Sequence, residues 1–222
     1  MIINITSKSY IAFDLDDTLY KEIDYLKSAY RSISVKIDPD HSDSIYNRML
    51  NLYDKGGNPF KDLEENPYYN VKLDELLDLY RNHKPDIMLL PGIENVLDFL
   101  DKYDINYGVI TDGRTITQTN KLKCLNIHHR LSDIVISESI ESEKPSVKNF
   151  KFIEDRNPNH NYIYFGDNLK KDFLTPKQRG WFTCCLINNG LNIHEQNFSK
   201  HEDMYLPHLK FNFWTEIKFS FE

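Results

Sequence analysis

Cysteine is scarce in this sequence, and its spacing argues against a framework held by disulfides. The 222 residues include three cysteines, of which Cys184 and Cys185 are adjacent and Cys124 lies far away, so no Cys-x-x-Cys pair is present. An odd count, with an adjacent pair inside an apolar run, indicates reduced and buried thiols. We therefore expect a cytoplasmic protein.

Long apolar runs and clusters of basic residues are also absent. No apolar stretch approaches the ~20 residues that a membrane-spanning helix needs, and residues 1–8 lack the features of a signal peptide. The net charge is −7, whereas proteins that bind phosphate backbones need clustered Lys and Arg. We expect neither a membrane nor nucleic acid as a partner, and either a monomer or a homodimer.

Strand and helix patterns alternate over most of the chain, which also carries 14 Tyr and 13 Phe and should have an aromatic-rich core. This alternation predicts right-handed βαβ units, and thus an α/β fold with a Rossmann-like parallel sheet flanked by helices. A polar loop, 188–204, and a tail with a short edge strand and a last helix should follow. The predicted strands are Tyr10–Phe13, Asn106–Thr111, Asp133–Ser137, Tyr162–Phe165 and Trp181–Ile187.

Residues 20–88 differ from the rest because they contain helical periodicity and no good strand. Apolar residues recur at spacings of three and four, and the run Lys55–Pro59 interrupts them. We predict a helical insert over residues 20–88, within a core formed by residues 1–19 and 89–222.

Three carboxylates follow the first predicted strand directly. Asp14, Asp16 and Asp17 lie within Asp-Leu-Asp-Asp-Thr, where like charges repel unless a cation or a proton intervenes. Open α/β sheets bind ligands at such strand ends. The alternative is a polar turn in which Asp17 or Thr18 caps a helix.

Three further polar clusters follow later strands. Thr111-Asp112-Gly113 offers a hydroxyl and free amides for a phosphate oxygen, Lys144 before Pro145 offers a compact positive charge, and Gly166-Asp167-Asn168 with Asp172 offers oxygen ligands for Mg²⁺. Alone, the first cluster is better explained by a turn and the second by a surface lysine, and a turn with a helix cap at Asp172 would explain the third. Their occurrence together, each after a predicted strand, favours a shared site.

These four clusters, taken in order, resemble the four motifs of the haloacid dehalogenase (HAD) superfamily. The position of the helical insert and the segment Gln118–Leu122 resemble the phosphatase branch with a cap between the first and second motifs. Many members have Asn where this chain has Asp112. If that position contributes only its backbone amide, the change is tolerable, but an additional carboxylate would weaken phosphate binding.

The resemblance implies a Mg²⁺-dependent phosphatase acting on a small phosphorylated metabolite. It assigns Asp14 as the nucleophile, Asp16 as the general acid and base, and the main-chain carbonyl of Asp16 as a metal ligand. Lys144 would be catalytic and, with Thr111 and Asp112, would bind phosphate. Asp14, Asp16 and Asp167 would hold the metal, with Asp172 either a ligand or behind the ligands.

The charges of such a site can be compared without the resemblance. The four carboxylates Asp14, Asp16, Asp167 and Asp172 outweigh Mg²⁺ and Lys144 together, and a phosphate monoester adds more negative charge. The site therefore needs neutral donors, such as Thr111 and backbone amides, or a proton on Asp16. A general acid must carry such a proton.

The sequence leaves the substrate open. Lys55 and Asn58 in the insert and Arg114 in the core are candidates for contacting it, although a solvated loop and a surface arginine are simpler explanations. A phosphosugar mutase shares all four motifs, and a non-catalytic phosphate-binding or signalling protein shares the charged groups. A dehalogenase is disfavoured because that branch lacks the residue corresponding to Asp16.

Overall fold

A six-stranded parallel sheet forms the centre of the molecule. The computed structural model describes all 222 residues, and every neighbouring pair of strands in this sheet is parallel. In spatial order the strands are β4 (Asp133–Ile136), β3 (Tyr107–Thr111), β2 (Ser9–Phe13), β5 (Asn161–Gly166), β6 (Phe182–Leu186) and β7 (Leu209–Phe211). The predicted α/β fold with a parallel sheet is confirmed.

Helices cover both faces of this sheet, because alternate side chains of each strand point to opposite faces. Ile11 and Phe13 of β2 join one hydrophobic cluster, and Tyr10 and Ala12 join another on the opposite face. The first cluster includes side chains of α5 (Ile93–Lys102) and α6 (Thr115–Cys124), and the second includes those of α8 (Val147–Arg156). All five residues of β2 are buried, as expected for a central parallel strand.

Four helices and no strand lie between β2 and α5. They share a hydrophobic cluster of their own, built around Leu26, Tyr30, Ile33, Ile45 and Met49. The helical periodicity noted in residues 20–88 corresponds to these four helices. Their bounds are α1 (Glu22–Ile37), α2 (Ser42–Asp54), α3 (Pro59–Glu65) and α4 (Leu73–Asn82).

The C-terminal tail differs from the prediction. The expected edge strand is present as β7, but the expected last helix is wrong: a 3₁₀ turn, Trp214–Glu216, leads into β8 (Lys218–Phe221). This strand pairs in parallel with β1 (Ile2–Ile5) in a separate two-stranded sheet. Two short helices, α7 (Ser137–Ile140) and α9 (Leu174–Gln178), complete the fold. None of the helices has the length and apolar character needed to cross a membrane.

Candidate active site

The carboxyl ends of β2, β3 and β5 and the loop after β4 meet around a small polar cavity. Its volume is about 100 Å³, and none of its eleven lining residues is hydrophobic. Parallel strands explain this convergence, because their carboxyl ends lie at one edge of the sheet. The predicted residues that line the cavity are Asp14, Asp16, Thr111, Asp112, Lys144 and Asp167.

Lys144 joins two of the predicted carboxylates in a buried ion cluster. Its Nζ lies 2.6 Å from Oδ1 of Asp14 and 2.7 Å from Oδ1 of Asp172, and it donates to the hydroxyl of Tyr164 at 3.1 Å. Burial alone would lower the pKa of Lys144, but the two carboxylates raise it well above its ordinary value. The ammonium is therefore charged and bound to Asp14, whose Oδ2 accepts no hydrogen bond from the chain.

Asp172 organises the loop that carries Asp167. Its Oδ2 accepts from the backbone N–H groups of Asp167, at 3.1 Å, and Asn168, at 2.8 Å, while Oδ1 accepts from Lys144 and Tyr164. A Cβ at position 166 would lie 2.6 Å from this carboxylate, so only glycine fits there. Because Asp172 already accepts four hydrogen bonds, its oxygens are less free to bind a cation than those of Asp14 and Asp167.

The carboxylate cluster has the chemistry of a Mg²⁺ site. Oxygens of Asp14, Asp167 and Asp172 lie within 4.8 Å of one another, and all three residues are buried. Burial raises the pKa of Asp14 well above its usual value despite Lys144, and burial followed by Asp172 and Asp14 raises the pKa of Asp167. Buried like charges of this kind favour binding of a cation, and carboxylate oxygens are the ligands that Mg²⁺ prefers.

The carboxylate of Asp16 is held separately from that cluster. Its Oδ1 accepts from Nζ of Lys121 at 2.6 Å and from the hydroxyl of Tyr20, and its Oδ2 accepts from Nε2 of Gln118 at 2.8 Å. Burial alone would raise the pKa of Asp16, but the charge and hydrogen bond of Lys121, together with the hydrogen bonds from Tyr20 and Gln118, hold that pKa below its usual value. Asp16 is thus ionised, and its side chain is not part of the carboxylate cluster.

Thr111 and Asp112 extend the site at the end of β3. The hydroxyl oxygen of Thr111 accepts from Gln118 at 2.5 Å, which leaves its own proton available to a ligand. Asp112 accepts from the backbone N–H of Lys144 at 3.0 Å and from Nζ of Lys171 at 2.8 Å. The additional negative charge of Asp112 is therefore paired with Lys171, and its side chain holds the loop that carries Lys144.

The three predicted specificity residues are not brought to this cavity. The side chain of Asn58 accepts from the backbone N–H groups of Phe60 and Lys61 at the start of α3. Arg114 lies 3.6 Å from Glu138 on the surface, with about half of its side chain exposed. Lys55 is exposed and is not among the lining residues. Their contact with substrate therefore has no support in this geometry.

Some residues that sequence reasoning did not assign to the site line the cavity, and others bind its carboxylates. Gln118 and Lys121 lie in a segment whose pattern was recognised, although nothing local indicated that they bind Asp16. Glu22, the first residue of α1, also lines the cavity, and burial, then Asp16, raises its pKa to about 8. His194 and Asn192 come from a polar loop with no motif, so no local signal could have found them.

Comparisons with known proteins agree with this geometry. The family model described as haloacid dehalogenase-like hydrolase matches residues 11–185. A glyceraldehyde 3-phosphate phosphatase of Methanocaldococcus jannaschii is 31% identical over 194 residues, covering 80% of this chain and 84% of the relative. Another phosphatase of that name, from Methanothermobacter thermautotrophicus, is 28% identical over 84% of this chain and 88% of its own length.

Solved structures agree at the level of the fold. The HAD-hydrolase YfnB from Bacillus subtilis bound to magnesium superimposes with a TM-score of 0.65 at 18% identity, over 94% of this chain and 96% of the other. A protein described as a β-phosphoglucomutase from Thermotoga maritima gives a TM-score of 0.63 at 14% identity, over 92% and 94%. Because the family model covers residues 11–185 and the phosphatase of Methanocaldococcus jannaschii is 31% identical over most of both chains, the chain belongs to the haloacid dehalogenase-like hydrolase family.

Proposed function

We propose that this chain is a Mg²⁺-dependent phosphatase that hydrolyses a small phosphate monoester through a phosphorylated Asp14. The observation that carries the proposal is the buried contact of Asp14 with Lys144, beside Asp167 and Asp172. A carboxylate nucleophile must approach a dianionic phosphate, and this cluster supplies one buried cation and a site for another. Asp14 and Asp167, with the main-chain carbonyl of Asp16, would hold Mg²⁺, which neutralises charge on the transferring phosphoryl group.

Asp14 forms the new bond in the first step. One of its oxygens is bound to Lys144, so the other, Oδ2, attacks phosphorus and an aspartyl phosphate results as the alcohol leaves. Lys144 and the hydroxyl of Thr111 stabilise charge on the phosphoryl oxygens.

Asp16 acts on protons in both steps. In the second step it accepts a proton from the water that attacks the aspartyl phosphate, and the ionised state held by Lys121 suits this role. In the first step it must carry a proton for the leaving alcohol, which requires the carboxylate to loosen its contact with Lys121.

The size and lining of the cavity favour a small and polar substrate. A volume of about 100 Å³ without a hydrophobic lining residue suits a short polyol or aldehyde rather than a nucleoside. Similar proteins are named glyceraldehyde 3-phosphate phosphatases. We take a phosphorylated three-carbon sugar as the first substrate to test. The helices of residues 20–88 would act as a cap that closes over the leaving group.

Phosphate release tests this function directly. Wild-type protein should release inorganic phosphate from glyceraldehyde 3-phosphate and from p-nitrophenyl phosphate with Mg²⁺, and should lose this activity in chelator. Asp14→Asn should lose at least about 10³-fold in kcat, because the nucleophile is missing. Asp40→Asn makes the same change at an exposed position and should leave activity unchanged.

Three outcomes would contradict the proposal. Undiminished phosphate release in chelator would exclude the metal-assisted mechanism. Conversion of a sugar phosphate to its isomer, without net release of phosphate, would indicate a phosphosugar mutase. Absence of both reactions across a panel of phosphorylated metabolites would indicate a phosphate-binding protein.

A further inference from the structure

The loop Asn188–Gln196, which we call the strap, crosses from the end of β6 to the residue proposed to bind metal. Nδ2 of Asn192 donates to Oδ2 of Asp167 at 2.7 Å. Nε2 of Gln196 donates to the main-chain oxygen of Asp167 at 2.7 Å. The strap therefore contacts both the side chain and the backbone of Asp167.

The strap is fixed from its other side by the connection between β2 and α1. Nζ of Lys21 donates to Oδ1 of Asn192 at 2.6 Å, and the backbone N–H of Ile193 donates to Asp17 at 2.9 Å. Lys21 is buried, with a relative exposure of 6%. A segment near the N-terminus thus holds a loop near the C-terminus against the cavity.

These contacts fix the orientation of the Asn192 amide. An ammonium group can only donate hydrogen bonds and an ionised carboxylate can only accept them. The amide oxygen must therefore face Lys21 and the amide nitrogen must face Asp167. The reverse orientation would place two donors together at Lys21 and two acceptors together at Asp167. Asn192 is the residue type that meets both neighbours at once.

We propose that Asn192 is a positioning residue that orients the carboxylate of Asp167 for Mg²⁺, and that Lys21 fixes Asn192 in turn. The inference rests on the proposed Mg²⁺-dependent function. The amide occupies Oδ2 of Asp167, while Oδ1 accepts no hydrogen bond from the chain and Asp167 lines the cavity. A hydrogen bond donated to a carboxylate favours its charged form, which a metal ligand needs. Hydrogen bonds from residues behind a metal ligand also orient that ligand toward the metal.

Mg²⁺ affinity, measured by calorimetry, tests the role of Asn192. Asn192→Ala should raise the Kd for Mg²⁺ by about 10- to 100-fold, the usual cost of removing a group behind a metal ligand. Asn189 lies in the same strap, but its side chain is exposed and makes no hydrogen bond. The Kd of Asn189→Ala for Mg²⁺ should therefore match that of wild type. At saturating Mg²⁺ the kcat of Asn192→Ala should return to within a few-fold of wild type, whereas a general loss of structure would lower kcat at every Mg²⁺ concentration.

Lys21→Met tests the same contact while leaving Asn192 in place. Loss of a positive charge near carboxylates would by itself tighten Mg²⁺ binding, so a several-fold higher Kd would report lost positioning. The double variant with Asn192→Ala should bind no more weakly than Asn192→Ala alone, because Lys21 acts through Asn192.

The results separate this inference from the proposed function. If wild type binds no Mg²⁺ and releases no phosphate, the proposed function fails. If wild type does both and Asn192→Ala binds Mg²⁺ within twofold of wild type, only the role of the strap is overturned.

Discussion

Lys121 changes the charge balance of the cavity. It lies on α6, is almost fully buried, pairs with Asp16 and lies 4.4 Å from the ring centre of Tyr25. The sequence argument counted Lys144 as the one basic side chain, beside Mg²⁺, near four carboxylates. With Lys121 included, the two lysines and a Mg²⁺ ion would balance those carboxylates, so the incoming phosphate depends less on a proton at Asp16. A lysine in a polar helix gives no local sign that it is buried.

Replacing Lys121 should therefore cost stability. Lys121→Met keeps most of the alkyl chain but leaves the partly buried carboxylate of Asp16 without its charged partner, which should destabilise the protein by about 1–3 kcal/mol. Lys123→Met makes the same substitution two residues further along α6, where the side chain is exposed. It should change stability by less than about 0.5 kcal/mol. Urea unfolding of both variants measures the difference; equal stabilities would show that the Asp16 pair contributes nothing to folding.

Strands of the central sheet were predictable because they are short, buried apolar runs between turn signals. The polar residues that follow these strands were predictable as a group, because the carboxyl ends of parallel strands lie at one edge of the sheet. By contrast, β1 and β8 join the two ends of the chain, with Ile3 opposite Phe219. Their pairing depends on contacts that no local pattern encodes, and the expected last helix was wrong because this pairing overrides it.

The start of α3 offers a test between two roles of Asn58. Its side chain caps the helix, accepting from two backbone N–H groups at 3.1 Å. Asn58→Ala should therefore destabilise the protein by about 1 kcal/mol in urea unfolding. The ranking of kcat/KM among substrates should not change, because Asn58 lies outside the cavity lining.

Asn51→Ala is the matched control for the cap. Asn51 is exposed inside α2, where alanine is the better helix former, so this variant should be neutral or slightly stabilising. A changed substrate ranking in Asn58→Ala alone would revive the prediction that this loop contacts substrate.

The buried carboxylates of the cavity lower the stability of the folded chain when no metal is bound. The cavity gathers buried carboxylates, and burial raises the pKa of Asp14 and Asp167 above the ordinary value of 3.8. Between pH 3.8 and these raised values, Asp14 and Asp167 therefore bind more protons in the folded chain without metal than in the unfolded chain. In that window their contribution to stability falls as pH rises, because each of the two carboxyls that ionises adds unfavourable buried charge.

Mg²⁺ should reverse this loss. A ligand that binds only the folded state at about 100 times its Kd contributes about 2.7 kcal/mol, so thermal unfolding should shift upward by several degrees when Mg²⁺ is added. Because Mg²⁺ competes with protons for the same oxygens, the shift should be larger near neutral pH than at mildly acidic pH.

Asp167→Asn is the control, and its stability should change in opposite directions without and with Mg²⁺, relative to wild type. It removes one buried charge, so without metal it should be at least as stable as wild type at neutral pH, yet Mg²⁺ should stabilise it little. Scanning calorimetry of both proteins with and without Mg²⁺ measures these shifts. An Asp167→Asn variant that Mg²⁺ stabilises as strongly as wild type would show that the ion binds elsewhere on the chain.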